Sequence, residues 1–347
     1  MTAGNKLLRF GVVGAGRMGS IHIENLLSIR YAEVTAVCTV IDREKQWVKE
    51  TVPGAQIYDS FDKFIEDPSI DAVIICSPSY FHEEQFLKCL QKNKHIFCEK
   101  PLSPDAKVSW DLYRESLKHP NLKVACGFSR RFVEPYQHAR KAIAEGKIGD
   151  VIAVQCQTTD QYNPSPEFAN YIKTSGGIFV DCNIHDVDVA LYLIGEDVTP
   201  NTVYATGTSR VYPQFAEWGD VDNSHGIITF KEGIVVNIHG SRDNPHGHHT
   251  WTEIFGTKGR ILVNKDPRGV AVDYIDSTGT RMVPASSQME LWADSYKVEI
   301  STFRDWILFG KEDHGFNLKD AAKSVTLGHL LQESVRSGKL IPVPAEQ

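Results

Sequence analysis

The sequence predicts an α/β protein in two parts, a doubly wound parallel sheet followed by an α/β domain on a large, mostly antiparallel sheet. Three observations carry this. Short β-rich runs alternate with helical patterns through the first third of the chain, the alternation that yields right-handed crossovers between parallel strands. A glycine-rich turn, Gly14-Ala15-Gly16-Arg17-Met18-Gly19, joins the first strand to the first helix. From Thr202 onward strand patterns dominate, broken by turns such as Lys231-Glu232-Gly233, which suits antiparallel pairing.

Strands are placed where β-rich apolar runs occur, and helices where apolar residues recur at helical spacing. In order, these rules predict a strand over 7–13, a helix over 18–29, a strand over 34–39, a helix over 42–50 and a short strand near 56–58. Next come a strand over 72–76, a helix over 81–91, a strand over 95–98, a helix over 105–118 and a strand over 123–127. Beyond Arg131 the rhythm changes to a helix over 134–145, a strand over 151–158, a loop rich in Asn, Pro and Ser, and an apolar helix after Gly177. Strands over 203–207, 224–230, 234–240, 250–256, 260–263 and 270–275 follow, and helices over 291–309 and 318–337 close the chain. The expected division is 1–127 for the nucleotide-binding part and 128–347 for the second domain.

Length and composition agree with two domains. At 347 residues, 41% hydrophobic and 23% charged, the chain has the makeup of a globular protein with a real core. A net charge of -7 without clustered Lys and Arg argues against nucleic-acid and anionic-membrane surfaces. Cys38, Cys76, Cys89, Cys98, Cys126, Cys156 and Cys182 are odd in number, form no CxxC and mostly end apolar runs, so they read as buried small hydrophobes. No apolar stretch approaches the roughly 18 residues of a membrane span, and no cleavable signal is expected. A cytoplasmic protein is the expectation.

The turn at 14–19 has a GxGxxG spacing between a strand and a helix, the context in which that spacing signals a dinucleotide. Gly14 allows the tight turn, Gly16 lets backbone approach a pyrophosphate, and Gly19 lets the helix pack on the strand, with the helix N-terminus supplying amide donors. The ribose is usually read by an acid about 20 residues further on. Thr39 stands there. A threonine does not repel a 2′-phosphate, Arg43 could attract one, and Asp42 could serve as a displaced acid, which leaves NAD and NADP both open.

Cys98-Glu99-Lys100-Pro101 ends the fifth strand, the edge where ligands of such sheets bind. The proline biases Lys100 toward extended backbone. Further on, Gly176-Gly177 precedes Asp181, His185 and Asp188 on an apolar segment. In one continuous helix Asp181 and His185 project from one face, a turn apart. Solvated Asp/His pairs are common, so this pair alone does not decide. Asp188 reads as a helix anchor. His246, His248 and His249 invite a metal reading, but no carboxylate or thiolate pattern accompanies them and a strand would alternate their faces; no metal is expected.

The glycine turn, the Glu99-Lys100-Pro101 triplet, Gly127-Phe128-Ser129-Arg130-Arg131-Phe132, and Ser175-Gly176-Gly177-Ile178-Phe179-Val180-Asp181 with Ile184-His185-Asp186-Val187-Asp188 together resemble the glucose–fructose oxidoreductase/inositol dehydrogenase/rhizopine catabolism family, from about residue 7 to 340. Thr159-Asp160, the Pro164/Pro166 loop, Tyr171-Ile172-Lys173 and the Ser-Gly-Gly-Ile-Phe stretch look most like the myo-inositol 2-dehydrogenases within it. The resemblance implies a Rossmann domain, a second domain whose sheet mediates homodimers or homotetramers, and hydride transfer from a secondary alcohol of a cyclitol or sugar to nicotinamide. It implies Lys100, Asp181 and His185 as catalytic residues, and Asp160 beside those three as substrate-binding. It implies contacts to NAD or NADP from Gly14, Gly16, Arg17, Met18, Gly19, Thr39, Asp42, Arg43, Ser77, Pro78, His82, Glu99 and Lys100, and a cis bond before Pro101. Two enzyme readings, an aldose 1-dehydrogenase and a trans-dihydrodiol dehydrogenase-like activity, keep the fold and change the substrate. A non-catalytic NAD(P)-sensing regulator would have no need of Lys100, Asp181 and His185 together. The chain departs from the inositol enzymes at Thr39, at Thr159, and at His246-Gly247-His248-His249-Thr250-Trp251, where those enzymes carry a Tyr-Gly-Tyr-Asp-Gln-Arg type of segment.

Overall fold

The computed structural model describes residues 7–195, 198–266 and 268–345, which fall into two compact units. The first contains the described residues up to Phe132 together with Asp294–Ala322; the second contains the rest.

In the first unit β1 (Leu8–Val13), β2 (Ala32–Cys38), β3 (Gln56–Tyr58), β4 (Ala72–Ile75), β5 (His95–Glu99) and β6 (Val124–Gly127) alternate with α1 (Arg17–Leu27), α2 (Asp42–Thr51), α3 (Phe61–Ile65), α4 (His82–Gln91) and α5 (Ala106–Ser116). Neighbouring strands are all parallel, in the order β3-β2-β1-β4-β5-β6. That is the doubly wound Rossmann order, with ligands expected outside the carboxyl ends of the strands where the order reverses at β1/β4. All four residues of β4 are fully buried, because helices cover both faces and the strand needs no polar alternation.

Ile300, Phe303 and Phe316 belong to this core. The Phe97 and Phe303 rings are 5.7 Å apart and those of Phe132 and Phe316 4.7 Å. The structure thus differs from the expected division at 127/128: the apolar faces of 294–322 complete the aromatic core of the first unit, a pairing between segments far apart in the chain that no local pattern reveals.

The second unit begins with α6 (Glu134–Ala144) and β7 (Val151–Gln161), followed by α7 (Pro166–Thr174), α8 (Ile178–Asp181) and α9 (Ile184–Ile194). Then come β8 (Pro200–Thr208), β9 (Asn223–Phe230), β10 (Val235–Asn244), β11 (His249–Gly256), β12 (Gly259–Val263), β13 (Arg268–Asp276) and β14 (Gly279–Pro284). The chain closes with α10 (Gln288–Phe309), α11 (Leu318–Ser337) and β15 (Ile341–Pro342). The sheet runs β12-β11-β7-β10-β9-β8-β15, and only the β7/β10 pair is parallel. The strand expected at 270–275 pairs with β14 in a separate hairpin, outside that sheet.

Two helices also differ from expectation. Within the predicted polar loop, α7 starts on Ser165, whose hydroxyl accepts from the Phe168 amide at 3.2 Å, with Pro166 in the first turn. The expected helix after Gly177 is two helices, α8 and α9, with Cys182 and Asn183 between them. One face of the sheet packs Val154, Cys156, Val203, Ile228, Val236 and Ile238 with Phe179, Val187, Leu191, Leu327 and Leu331. Alternate positions on the other face carry Tyr204, Ile227 and the stacked rings of His225 and His239, 4.6 Å apart. Among the described residues no helix is long and apolar enough to cross a membrane.

Candidate functional site

Two glycines of the first turn, Gly14 and Gly19, are required by geometry. Gly14 has φ +82°, and a Cβ on it would stand 2.8 Å from the Cys76 carbonyl oxygen. A Cβ on Gly19 would run into the Gly14 carbonyl oxygen. Gly16 caps α1 with no side-chain hydrogen bond, so the first-turn amides keep their donors for a ligand. Arg17 is exposed and Met18 half-buried. These residues fit the pyrophosphate of a dinucleotide.

At the end of β2 the structure identifies a carboxylate that sequence reasoning missed. Glu44, in the first turn of α2, accepts from Thr39 Oγ1 at 2.5 Å and from the Ala15 amide at 3.2 Å through the same oxygen. Asp42, proposed as the displaced acid, is instead exposed and lies 3.3 Å from Lys45 Nζ; Arg43 is exposed as well. The signal was present as an acid five residues past Thr39, but it lies inside the helix expected over 42–50 and beyond the strand end where such an acid is sought.

At the end of β5, Glu99 is nearly buried. Its Oε1 lies 2.6 Å from Nε2 of the fully buried His22, and its Oε2 accepts the Lys100 amide at 3.3 Å. Glu99 therefore braces the Lys100 backbone from within the unit, with His22 behind it. Lys100 is half-buried, and the Lys100–Pro101 peptide is cis.

His82, expected among the cofactor contacts, has its ring turned inward. Its ring is 1% exposed, with Nδ1 2.9 Å from the Pro101 carbonyl and Nε2 3.0 Å from the Ser77 carbonyl. Burial lowers its pKa below the ordinary value despite these carbonyls, so the neutral ring donates to one carbonyl at a time and ties the two loops together. Ser77 donates to Gln85 Oε1 at 2.6 Å, and Pro78 is exposed.

In the second unit, Gly176 and Gly177 have φ +88° and +110° and turn the chain into α8. The Asn183 amide returns to the Ile178 carbonyl at 2.8 Å, and the amides of Asp186 and Val187 restart the helix on the Asn183 carbonyl at 2.9 and 3.0 Å. Asp181 is thus the last residue of α8 and His185 lies in the first turn of α9, so the spacing expected of one continuous helix does not hold. The buried carboxylate of Asp186 anchors the restart through Thr158 Oγ1 at 2.8 Å and Asn183 Nδ2 at 2.7 Å. Asp188 is also buried.

Asp181 accepts from the Tyr171 hydroxyl and lies 3.6 Å from Nη2 of Arg242, a guanidinium only 2% exposed. Arg242 was not anticipated, because β10 was expected to end at Gly240 and its polar continuation reads as loop. Asp160 accepts from Cys182 Sγ at 3.4 Å and lies 2.9 Å from His248 Nδ1. Desolvation pushes the Asp160 carboxyl up, but the His248 hydrogen bond and charge, Arg242 and the Cys182 thiol together hold it below the usual value.

The three histidines after β10 go separate ways. His246 is exposed, His248 is turned to Asp160 and Thr250, and His249 Nε2 donates to the Asn264 carbonyl at 3.3 Å. Among the described residues no group of three or more His, Cys, Asp or Glu is set to hold a metal. Lys100 and the expected cofactor residues lie in the first unit; Asp160, Asp181 and His185 lie in the second.

Fold and motifs define a dinucleotide-binding oxidoreductase. Residues 8–128 match the oxidoreductase family with an NAD-binding Rossmann fold, and residues 136–262 match the GFO/IDH/MocA C-terminal domain. This chain belongs to that GFO/IDH/MocA oxidoreductase family. It is 33% identical over 336 residues to a myo-inositol 2-dehydrogenase of Thermotoga maritima, covering 96% of this chain and 98% of that one. It is 32% identical over 332 residues to the NAD(+)-dependent scyllo-inositol 2-dehydrogenase of Bacillus subtilis, covering 95% of each. The crystal structure of scyllo-inositol dehydrogenase from Lactobacillus casei, with bound NAD(H) and scyllo-inositol, superposes with a TM-score of 0.91 at 30% identity, covering 97% of this chain and 99% of that one.

Proposed function

We propose that this oxidoreductase is an NAD-dependent inositol 2-dehydrogenase, with Lys100, Asp181 and His185 as its catalytic residues. The observation that carries the proposal is full-length similarity to enzymes named for inositol oxidation, in a chain that keeps these three residues in the matching motifs. Bound dinucleotide supplies the hydride acceptor at its nicotinamide ring. The chain's own groups do the rest. His185, an imidazole that titrates at about 6.5 when unperturbed, takes the hydroxyl proton. The Lys100 ammonium stabilises the developing alkoxide, its backbone braced by Glu99. Asp181, held by Tyr171 and Arg242, binds a neighbouring hydroxyl or orients the imidazole.

Preference for NAD over NADP rests on Glu44. A carboxylate against the glycine turn accepts ribose hydroxyls and repels a 2′-phosphate. Thr39 is then the hydroxyl that holds Glu44 in place. A homo-oligomer is proposed through the open face of the large sheet, where Tyr204 is 38% and Ile227 41% exposed, in a cytoplasmic setting that keeps the seven cysteines reduced. The test is steady-state oxidation of a panel of inositols and aldoses with each cofactor. Turnover of an inositol with NAD supports the proposal; turnover confined to aldoses contradicts it.

A further inference from the structure

A second aspartate–histidine pair lies within the second unit. His248 is 3% exposed, on the turn that enters β11, and Asp160, near the end of β7, has a side chain 43% exposed. Asp160 Oδ1 is 2.9 Å from His248 Nδ1, and His248 Nε2 is 2.9 Å from Thr250 Oγ1. A carboxylate only accepts, so Nδ1 carries the proton. The other ring nitrogen, Nε2, is hydrogen-bonded to the Thr250 hydroxyl, which fixes the plane of the ring. The order hydroxyl, imidazole, carboxylate is that of a hydrolytic triad, but Thr250 is fully buried and no substrate reaches its oxygen. The chain of bonds therefore runs the other way, from a buried anchor outward to an accessible carboxylate.

We infer that His248 is a positioning residue that holds Asp160 as an ionised, fixed acceptor for a hydroxyl of the polyol substrate. This rests on the proposed function. His248 and Thr250 fall within the six-residue segment where this chain departs from the inositol enzymes, so the device belongs to this chain's own recognition of substrate. The Cys182 thiol, pushed well above its ordinary pKa by burial, stays protonated and donates to the other oxygen, Oδ2. With one oxygen taken by imidazole and the other by a long thiol contact, the exposed lone pairs of Asp160 point to a donor. An uncharged polyol supplies one. A sugar phosphate or uronate brings an anion against Asp160 and is disfavoured.

The test compares wild type with His248→Leu, His248→Asn and Asp160→Asn at saturating NAD. Charge-assisted hydrogen bonds of this kind correspond to roughly tenfold or more in binding. His248→Leu and Asp160→Asn are expected to raise KM for the polyol by about that factor, with kcat within about threefold of wild type. His248→Asn, whose amide donates from near the position of Nδ1, is expected to restore KM. NADH binding and thermal melting report whether each variant is folded. If His248→Leu does not fold, Asp160→Asn and His248→Asn decide alone. Wild-type KM in Asp160→Asn, or a folded His248→Asn no better than His248→Leu, overturns this inference while leaving the dehydrogenase reading intact. A wild-type enzyme inactive on every polyol overturns both.

Discussion

Thr39 and Glu44 meet at 2.5 Å, the threonine hydroxyl donating to the carboxylate that also receives the Ala15 amide. The acid usually found at the end of the second strand is thereby replaced by one that arrives from the first turn of α2. Glu44→Ala is expected to raise kcat/KM with NADP relative to NAD by roughly tenfold or more, since a like-charge contact with the 2′-phosphate is removed. An unchanged cofactor ratio would contradict this assignment.

Proton transfer and alkoxide stabilisation are each expected to contribute roughly 100-fold or more to turnover. His185→Ala and Lys100→Ala should lose that much of kcat, while NADH binding, measured by fluorescence, remains within a few-fold of wild type. Near-normal turnover in either variant would remove that residue from the mechanism.

Gly19 is expected to tolerate no side chain, because its Cβ would meet backbone, the Gly14 carbonyl oxygen, which cannot move aside without reshaping the turn. Gly19→Ala should cost about 2 kcal/mol or more of stability and weaken NAD binding together with it. A variant with wild-type melting temperature and NAD affinity would show that the turn relaxes freely.

His314 stacks on Trp306 with ring centroids 3.7 Å apart, and its Nδ1 accepts the Phe316 amide at 3.2 Å, which requires a neutral nitrogen. Burial first, then the Lys123 charge, lowers its pKa to about 4. In the unfolded chain the same group titrates at about 6.5. Between those values the unfolded state binds the proton and the native state refuses it, so stability is complete above about pH 6.5 and is lost as pH falls toward 4. His314→Gln should flatten the dependence of the urea midpoint on pH over that window; an equal slope in both proteins would contradict the account.

The first unit was legible wherever local pattern and local structure coincide. The strand–turn–helix around Gly14, the apolar run at 72–76 and the Glu99-Lys100-Pro101 edge all lie where the sequence pattern predicts. What escaped was nonlocal. Phe303 and Phe316 read as part of the second domain because nothing in their own segment points to Phe97. Glu44 and His22 did not stand out within their helices, because their partners Thr39 and Glu99 are brought near only by the fold. The break between Asp181 and His185 was hidden because Cys182 and Asn183 do not by themselves stop a helix; the Asn183 bond to Asp186 does. By contrast, α7 was readable in principle, since Ser165-Pro166 is a helix start signal that the surrounding Asn and Pro obscured.

Oxidation of an inositol carbinol with NAD by this chain can be followed by isotope transfer. Incubation of the wild-type protein and of His185→Ala with NAD and an inositol deuterated at its ring carbons, followed by NMR of the nicotinamide product, reads the reaction itself. Deuterium is expected at C4 of the reduced ring with wild type and little or none with His185→Ala. Bound NAD that acquires no deuterium from any inositol would contradict the proposed function.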